Sequence, residues 1–180
     1  MGNLFLKSSY GVNDLETATL GAGCFWGVEH VFRQIRGVEE AEAGYAGGCC
    51  DSPTYAQVCA DTTGHAEVVR IQFDPAIVSY DSLLDIFWQC HNPTTLNRQG
   101  EDCGTQYRSV IYWHSAYQKD AAEKSKERAQ TSGRFPNPIV TEIAPAPEFF
   151  RAEEHHQKYY EKNGAGGCTH VCPIQPPLKE

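Results

Sequence analysis

At 180 residues, 41% apolar and 11% aromatic, the chain suits a single globular domain, one long enough to bury roughly two thirds of its unfolded surface, and its composition excludes wholesale disorder. A formal charge of −8 leaves no basic footprint for nucleic acid, and no apolar run reaches the length of a membrane helix. Residues 1–6 lack the cationic start and apolar stretch of an export signal, so a cytoplasmic protein is expected. Its eight cysteines (24, 49, 50, 59, 90, 103, 168 and 172) then read as thiol chemistry, metal ligands or burial rather than as a secreted disulfide framework.

Residues 1–17 are polar and unpatterned and read as an N-terminal arm. The β-prone run Ala18-Thr19-Leu20 leads into Gly21-Ala22-Gly23-Cys24-Phe25-Trp26-Gly27. Val28, Val31, Phe32 and Ile35 then recur at i, i+3, i+4 and i+7, which predicts a helix closing at Gly37. Residues 38–45 read as a strand, and 49–64 as a long loop of turn formers. In residues 66–73, Glu67, Val69, Ile71 and Phe73 share one face of a strand, opposite Val68, Arg70 and Gln72. Tyr80, Leu83, Leu84 and Phe87 mark a helix that Ser79 can cap, and 92–107 is a second polar loop. A strand at 108–113, a helix from Ser115 to about Thr131, a strand at 139–143 and a last helix at 148–160 follow. Residues 161–180 are rich in glycine and proline and read as a mobile, irregular tail. Alternating strands and helices predict an α/β or α+β layered sheet with helices packed on it. The whole of 1–180 reads as one catalytic domain, with no nucleotide-cradling glycine motif.

Three features carry chemistry. Cys24 stands where a strand turns through glycines into a helix, and the unpaired N–H groups and dipole of that first turn favour a thiolate. Burial as a small hydrophobe is the alternative, while Phe25 and Trp26 can wall an apolar pocket beside the sulfur. Glu67 lies by period two on an apolar strand face, where burial favours the protonated carboxyl and so a general acid; fraying into solvent is the alternative. The tail's Cys168 and Cys172, on a glycine hinge, suit condensation with a Cys24 sulfenic acid and onward disulfide exchange, with Cys49 or Cys50 as substitutes. A zinc site built on Cys168, His170 and Cys172 competes, but no second closely spaced pair has finger spacing. Cys59 and Cys90 read as structural, Cys103 is open, and His155-His156 reads as a helix surface pair.

The chain resembles the A-type peptide methionine sulfoxide reductases. The likeness rests on Gly23-Cys24-Phe25-Trp26-Gly27-Val28-Glu29, Gly44-Tyr45-Ala46-Gly47-Gly48, Pro53-Thr54-Tyr55 with Val58-Cys59, Thr63-Gly64-His65-Ala66-Glu67-Val68 and His91-Asn92-Pro93-Thr94-Thr95. Asn97-Arg98-Gln99-Gly100, Gly104-Thr105-Gln106-Tyr107-Arg108-Ser109 and Ala152-Glu153-Glu154-His155-His156-Gln157 extend it. The resemblance implies a two-layer, ferredoxin-like sandwich and reduction of the S epimer of methionine sulfoxide. It makes Cys24 the nucleophile and Glu67 the acid. Tyr45, Tyr107 and Asp102 would hold the departing oxygen or its water, and Phe25 and Trp26 the ε-methyl. It further implies recycling by thioredoxin without a cofactor or metal, in a monomer. A thiol peroxidase and a zinc-binding interaction module remain the competing readings.

Overall fold

The computed structural model describes residues 14–164. Eight strands and five helices follow in order: β1 (Glu16–Ala22), α1 (Phe25–Arg33), β2 (Val38–Ala46), α2 (Tyr55–Cys59), β3 (Ala66–Phe73), α3 (Tyr80–Cys90), β4 (Arg98–Gln99), β5 (Asp102–Cys103), β6 (Ser109–Trp113), α4 (Ala116–Thr131), β7 (Glu142–Pro145), β8 (Phe149–Arg151) and α5 (Tyr159–Asn163). One sheet runs β7-β6-β1-β3-β2-β8, and β4 and β5 form a separate two-stranded ribbon. Within the larger sheet only the β6–β7 pair is parallel. The four central strands, read as β6-β1-β3-β2 with α1 and α3 as crossovers, are the split β-α-β arrangement of the ferredoxin-like fold.

The helices form where the apolar period and the caps agree. Val28, Val31, Phe32 and Ile35 are all buried, as are Tyr80, Leu83, Leu84 and Phe87 of α3. Both helices press these faces onto Leu20, Val69, Ile71, Phe73 and Ile111 of the sheet, making the main core. The Ser79 hydroxyl accepts the Ser82 N–H at 3.1 Å, and Ser115 accepts the Gln118 N–H at 3.2 Å, so both predicted N-caps are in place. The other sheet face carries a smaller cluster of Ala46, Ala66, Val68, Val110 and Tyr112.

Several boundaries differ from those the sequence predicts. β1 already pairs at Glu16, so the arm is shorter than 1–17, and helical residues 161–163 shorten the tail. α1 ends at Arg33, and Gly37, with φ +93°, turns the chain after it rather than capping it. The loop at 49–64 contains α2, held by a capping box in which Thr54 and Gln57 bond reciprocally. The strand expected at 139–143 is displaced to β7. The expected last helix is broken into β8, a 3-10 turn at Glu154–His156 and the short α5, because β8 pairs with the edge of β2 before the chain can coil. No helix among the described residues is long and apolar enough to cross a membrane.

Candidate active site

Cys24 is the N-cap of α1, directly after β1. Gly23 makes this turn possible: its φ is +92°, and a β-carbon there would stand 2.7 Å from the Gln99 side chain. The next backbone N–H, that of Phe25, donates to Glu67 Oε2 at 3.0 Å. Glu67 is 1% exposed and is the direct cross-strand partner of Tyr45. The acid predicted from strand alternation is therefore buried, not frayed, and it meets the helix start that Cys24 caps.

Tyr45 and Phe25 are fully buried and their rings lie 5.7 Å apart. The Tyr45 hydroxyl donates to Glu153 Oε2 at 2.8 Å, and the Tyr55 N–H at the start of α2 donates to Glu153 Oε1 at 2.8 Å. Tyr107 closes a 3-10 turn (Thr105–Tyr107) after β5, and it senses the charges of Glu67, Asp102, Cys59 and Cys24. Burial above all, then neighbouring negative charge, pushes the Tyr45 and Tyr107 hydroxyls well above the ordinary tyrosine value; for Tyr45 the bond to Glu153 adds to this. Both stay protonated at neutral pH. Burial works against Glu153's charge, yet the Tyr55 N–H, its own backbone N–H and the Tyr45 hydroxyl hold its carboxyl below the usual range.

The aromatic wall is larger than Phe25 and Trp26. Trp26 stacks on Tyr159 at 3.8 Å with ring planes 7° apart, and its indole N–H donates to His156 Nδ1 at 3.1 Å. His156 is 3% exposed and packs 4.4 Å from the Tyr55 ring and 5.3 Å from Phe25. The expected surface pair thus splits: His155 is exposed, while His156 is part of the site. Burial, with the neighbouring His155, holds His156 below the ordinary histidine value, so its ring is neutral and its proton sits on Nε2. That Nε2 has no hydrogen-bond partner among the described residues and stands 4.0 Å from Glu153 Oε2.

The structure therefore gathers Cys24, Phe25, Trp26, Tyr45, Glu67 and Tyr107 at one place, with Asp102 half-buried beside Tyr107. Cys168 and Cys172 lie outside the described residues. Cys59 is exposed rather than buried, and its side chain bonds to that of Tyr55. Cys90 packs against the core, as expected of a structural thiol, and Cys49 and Cys103 are exposed. No cluster of three or more metal-ligating side chains occurs among the described residues. Glu153, Tyr55, His156 and Tyr159 are site residues that the sequence reading misses. The stretch 152–157 has no apolar period to mark one side as buried, and only its place in a quoted motif could have flagged it.

The sequence model of the family described as "Peptide methionine sulfoxide reductase" matches residues 16–176. The "Peptide methionine sulfoxide reductase MsrA" of Geobacter sulfurreducens is 60% identical over 154 residues, which is 86% of this chain and 95% of that protein. Mxr1 from Saccharomyces cerevisiae in its reduced form superposes with a TM-score of 0.82 at 38% identity, covering 95% of this chain and 96% of the other. Mxr1 in complex with Trx2 superposes with a TM-score of 0.59 at 28% identity, over 85% of this chain and 90% of that one.

Proposed function

The chain belongs to the peptide methionine sulfoxide reductase family and reduces methionine sulfoxide; from that premise we propose that it acts on the S epimer, free or in proteins, through a Cys24 sulfenic acid. The observation that carries this reading is the 3.0 Å bond from the Phe25 N–H to the buried Glu67 carboxyl, which sets an acid beside the thiol that caps the helix.

The chemistry follows from the pairing. A thiolate at a helix N-terminus is favoured by the dipole, and burial resists a second negative charge beside it; on this reading Glu67 enters the reaction protonated. The Cys24 thiolate attacks the sulfoxide sulfur while Glu67 protonates the oxygen. That oxygen ends on Cys24 as sulfenic acid, and methionine leaves reduced by two electrons. Tyr45, Tyr107 and Asp102 hold the oxygen, or the water it becomes, by hydrogen bonds. Phe25 and Trp26 enclose the ε-methyl, and Tyr159 and His156 back the Trp26 ring.

The Cys168 thiol then condenses with the sulfenic acid, its proton leaving with the sulfenic hydroxyl as water, and a Cys24–Cys168 disulfide forms. Cys172 exchanges with it, freeing Cys24 as a thiol, and a thioredoxin dithiol reduces the Cys168–Cys172 disulfide. The complex of the yeast relative with Trx2 supports that reductant. No cofactor or metal is needed, and a cytoplasmic monomer forming one catalytic domain suits this role.

An epimer-resolved reductase assay with dithiothreitol or thioredoxin tests the reading. The S-sulfoxide should be turned over and the R-sulfoxide and hydrogen peroxide left; Cys24→Ser should abolish turnover. Glu67→Gln should slow the reductive step roughly 10²–10⁴-fold, the usual worth of a positioned general acid, without loss of fold. Full activity in Cys24→Ser would sink the proposal.

A further inference from the structure

Carboxylates from three parts of the chain border the site. Asp61, in the turn after α2, accepts the hydroxyl of Thr105, the residue that opens the 3-10 turn closed by Tyr107. Glu101 and Asp102 lie on the ribbon of β4 and β5, where the Asp102 charge reaches the Tyr107 hydroxyl. Glu153 follows β8 and keeps part of its side chain in solvent. Among the described residues none of the four has a lysine or arginine at ion-pair distance, whereas Glu42, Asp81, Glu142, Glu154 and Glu161 each have one. Arg108 is turned to Glu142 at 3.4 Å, and Lys158 acts on Glu161. Arg98, whose Nε donates to the Gly100 carbonyl at 2.8 Å, is the only cation on the ribbon. Negative charge is therefore left standing around the pocket.

Within this rim the aromatic pocket holds an incomplete donor. His156 is 3% exposed and set among Phe25, Trp26 and Tyr55. Its Nε2–H, 4.0 Å from Glu153 Oε2, has no hydrogen-bond partner among the described residues. Buried donors are normally paired, and a peptide carbonyl is the kind of acceptor that a bound substrate brings.

We propose that the rim of Asp61, Glu101, Asp102 and Glu153 selects the peptide context of the substrate, so that methionine sulfoxide flanked by lysine or arginine is reduced in preference to the same residue flanked by acids. The inference rests on the functional reading above and names the substrate class of that same site. A flanking cation lies against carboxylates that have no cation of their own, and a flanking acid is repelled by them. Attraction of this kind raises the rate of encounter and the occupancy of the site, and salt weakens it.

Three peptides of one length test this, each with a single methionine-S-sulfoxide flanked by lysine, glutamine or glutamate. At about 20 mM ionic strength kcat/KM should fall in that order, with lysine about tenfold above glutamate. In about 0.5 M salt, where the screening length is about 4 Å, the ratio should close to within about threefold. The double variant Asp61→Asn, Glu101→Gln should narrow the low-salt ratio to about threefold, and because a ratio is read, a general loss of activity cancels. Asparagine suits the left-handed φ of 55° at Asp61 and keeps an oxygen for Thr105. If the double variant does not fold, Glu101→Gln alone, in an exposed turn, should narrow the ratio about twofold. Equal kcat/KM for the three peptides, a preference that persists in about 0.5 M salt, or an unchanged ratio in the variant overturns the proposal.

Calorimetric dissociation constants of the same peptides on Cys24→Ser need no turnover and should follow the same order. A wild-type protein that reduces none of the peptides would sink the functional reading, whereas equal dissociation constants on Cys24→Ser sink the role of the rim.

Discussion

Trp26 shows how one side chain is held for a purpose that its own sequence neighbours do not reveal. Half-buried beside Cys24, it is fixed on one side by the Tyr159 ring at 3.8 Å and at its edge by the 3.1 Å bond to His156 Nδ1. A wall fixed in two directions has little rotamer freedom left to lose when a methyl group is bound against it. Trp26→Phe keeps a ring for Tyr159 but removes the indole N–H, leaving His156 Nδ1 without a donor. One lost hydrogen bond and a smaller wall correspond to about 1–2 kcal/mol, so KM for the S-sulfoxide should rise about tenfold while kcat stays within about threefold. Steady-state kinetics checks this, and a fall in kcat at unchanged KM would place Trp26 in the reaction rather than in the pocket. At this scale the sequence is readable where local rules operate. Cys24 is visible from the glycines and the helix period, and Glu67 from strand alternation. His156 is not, because its burial comes from the distant rings of Phe25, Trp26 and Tyr55, and no local pattern encodes that.

The elements repeat the same division. α1 is legible from its apolar period, α3 because period and N-cap chemistry agree, α4 from the Ser115 cap and its charged, Ala-rich run of helix formers, and β3 because it alternates cleanly. β8 and the 3-10 turn after it are not, since Phe149-Phe150-Arg151, too short to show an alternation, is drawn into pairing with the β2 edge. The element ends also carry a pH dependence. His91, just past the last turn of α3, is half-buried, its Nδ1 bonds to the Phe87 carbonyl at 2.9 Å, and its Nε2 meets the Ser109 hydroxyl at 2.7 Å. Ser109 in turn meets Thr141 at 2.7 Å, so the ring ties α3 to β6 and to the chain entering β7. Burial lowers the His91 pKa to about 4, although the bond to the Phe87 carbonyl opposes the shift. In the unfolded chain the ring protonates near the ordinary value, so its contribution to stability is complete above about 6.5 and is lost as the pH falls through about 4. Between pH 6.5 and pH 5 this amounts to about 2 kcal/mol. Denaturant unfolding of the wild type and of His91→Asn should show their stability difference shrinking by that amount over this window. A pH-independent difference would mean that the ring is charged in the folded protein.

On the scale of the whole molecule, the site is a closure of the chain's two ends. Residues 24–26 open it, and the return segment from β8 to α5 completes it with Glu153, His156 and Tyr159. That segment is fastened by polar groups buried against α1 and β2. Gln157 accepts the Ala43 N–H at 3.0 Å and donates to the carbonyls of Ala43 and Ala152 at 2.9 and 2.8 Å. Glu29, 1% exposed, receives the Lys158 N–H on both oxygens, at 3.0 and 2.7 Å, where Lys158 adopts the left-handed φ of 54°. Arg33 and Glu161 meet at 2.9 Å on the outside. The core strands β1 and β3 do not depend on these bonds, because their residues pack under α1 and α3. Gln157→Leu leaves the buried Ala43 N–H and Ala152 carbonyl without their Gln157 partner, at about 1–3 kcal/mol for each that finds no water, while the Ala43 carbonyl keeps the Ala152 N–H at 3.0 Å. That cost falls at the seam between the return segment and the β2 edge, so opening of the segment should become a local event below the energy of global unfolding. Hydrogen exchange should therefore speed at residues 153–163 while the amides of β1 and β3 keep their protection, and the reductase KM should rise because the Tyr159 support of Trp26 is lost for part of the time. Exchange that accelerates equally in β1, β3 and the return segment would instead make the segment part of the cooperative core, and the site inseparable from the fold.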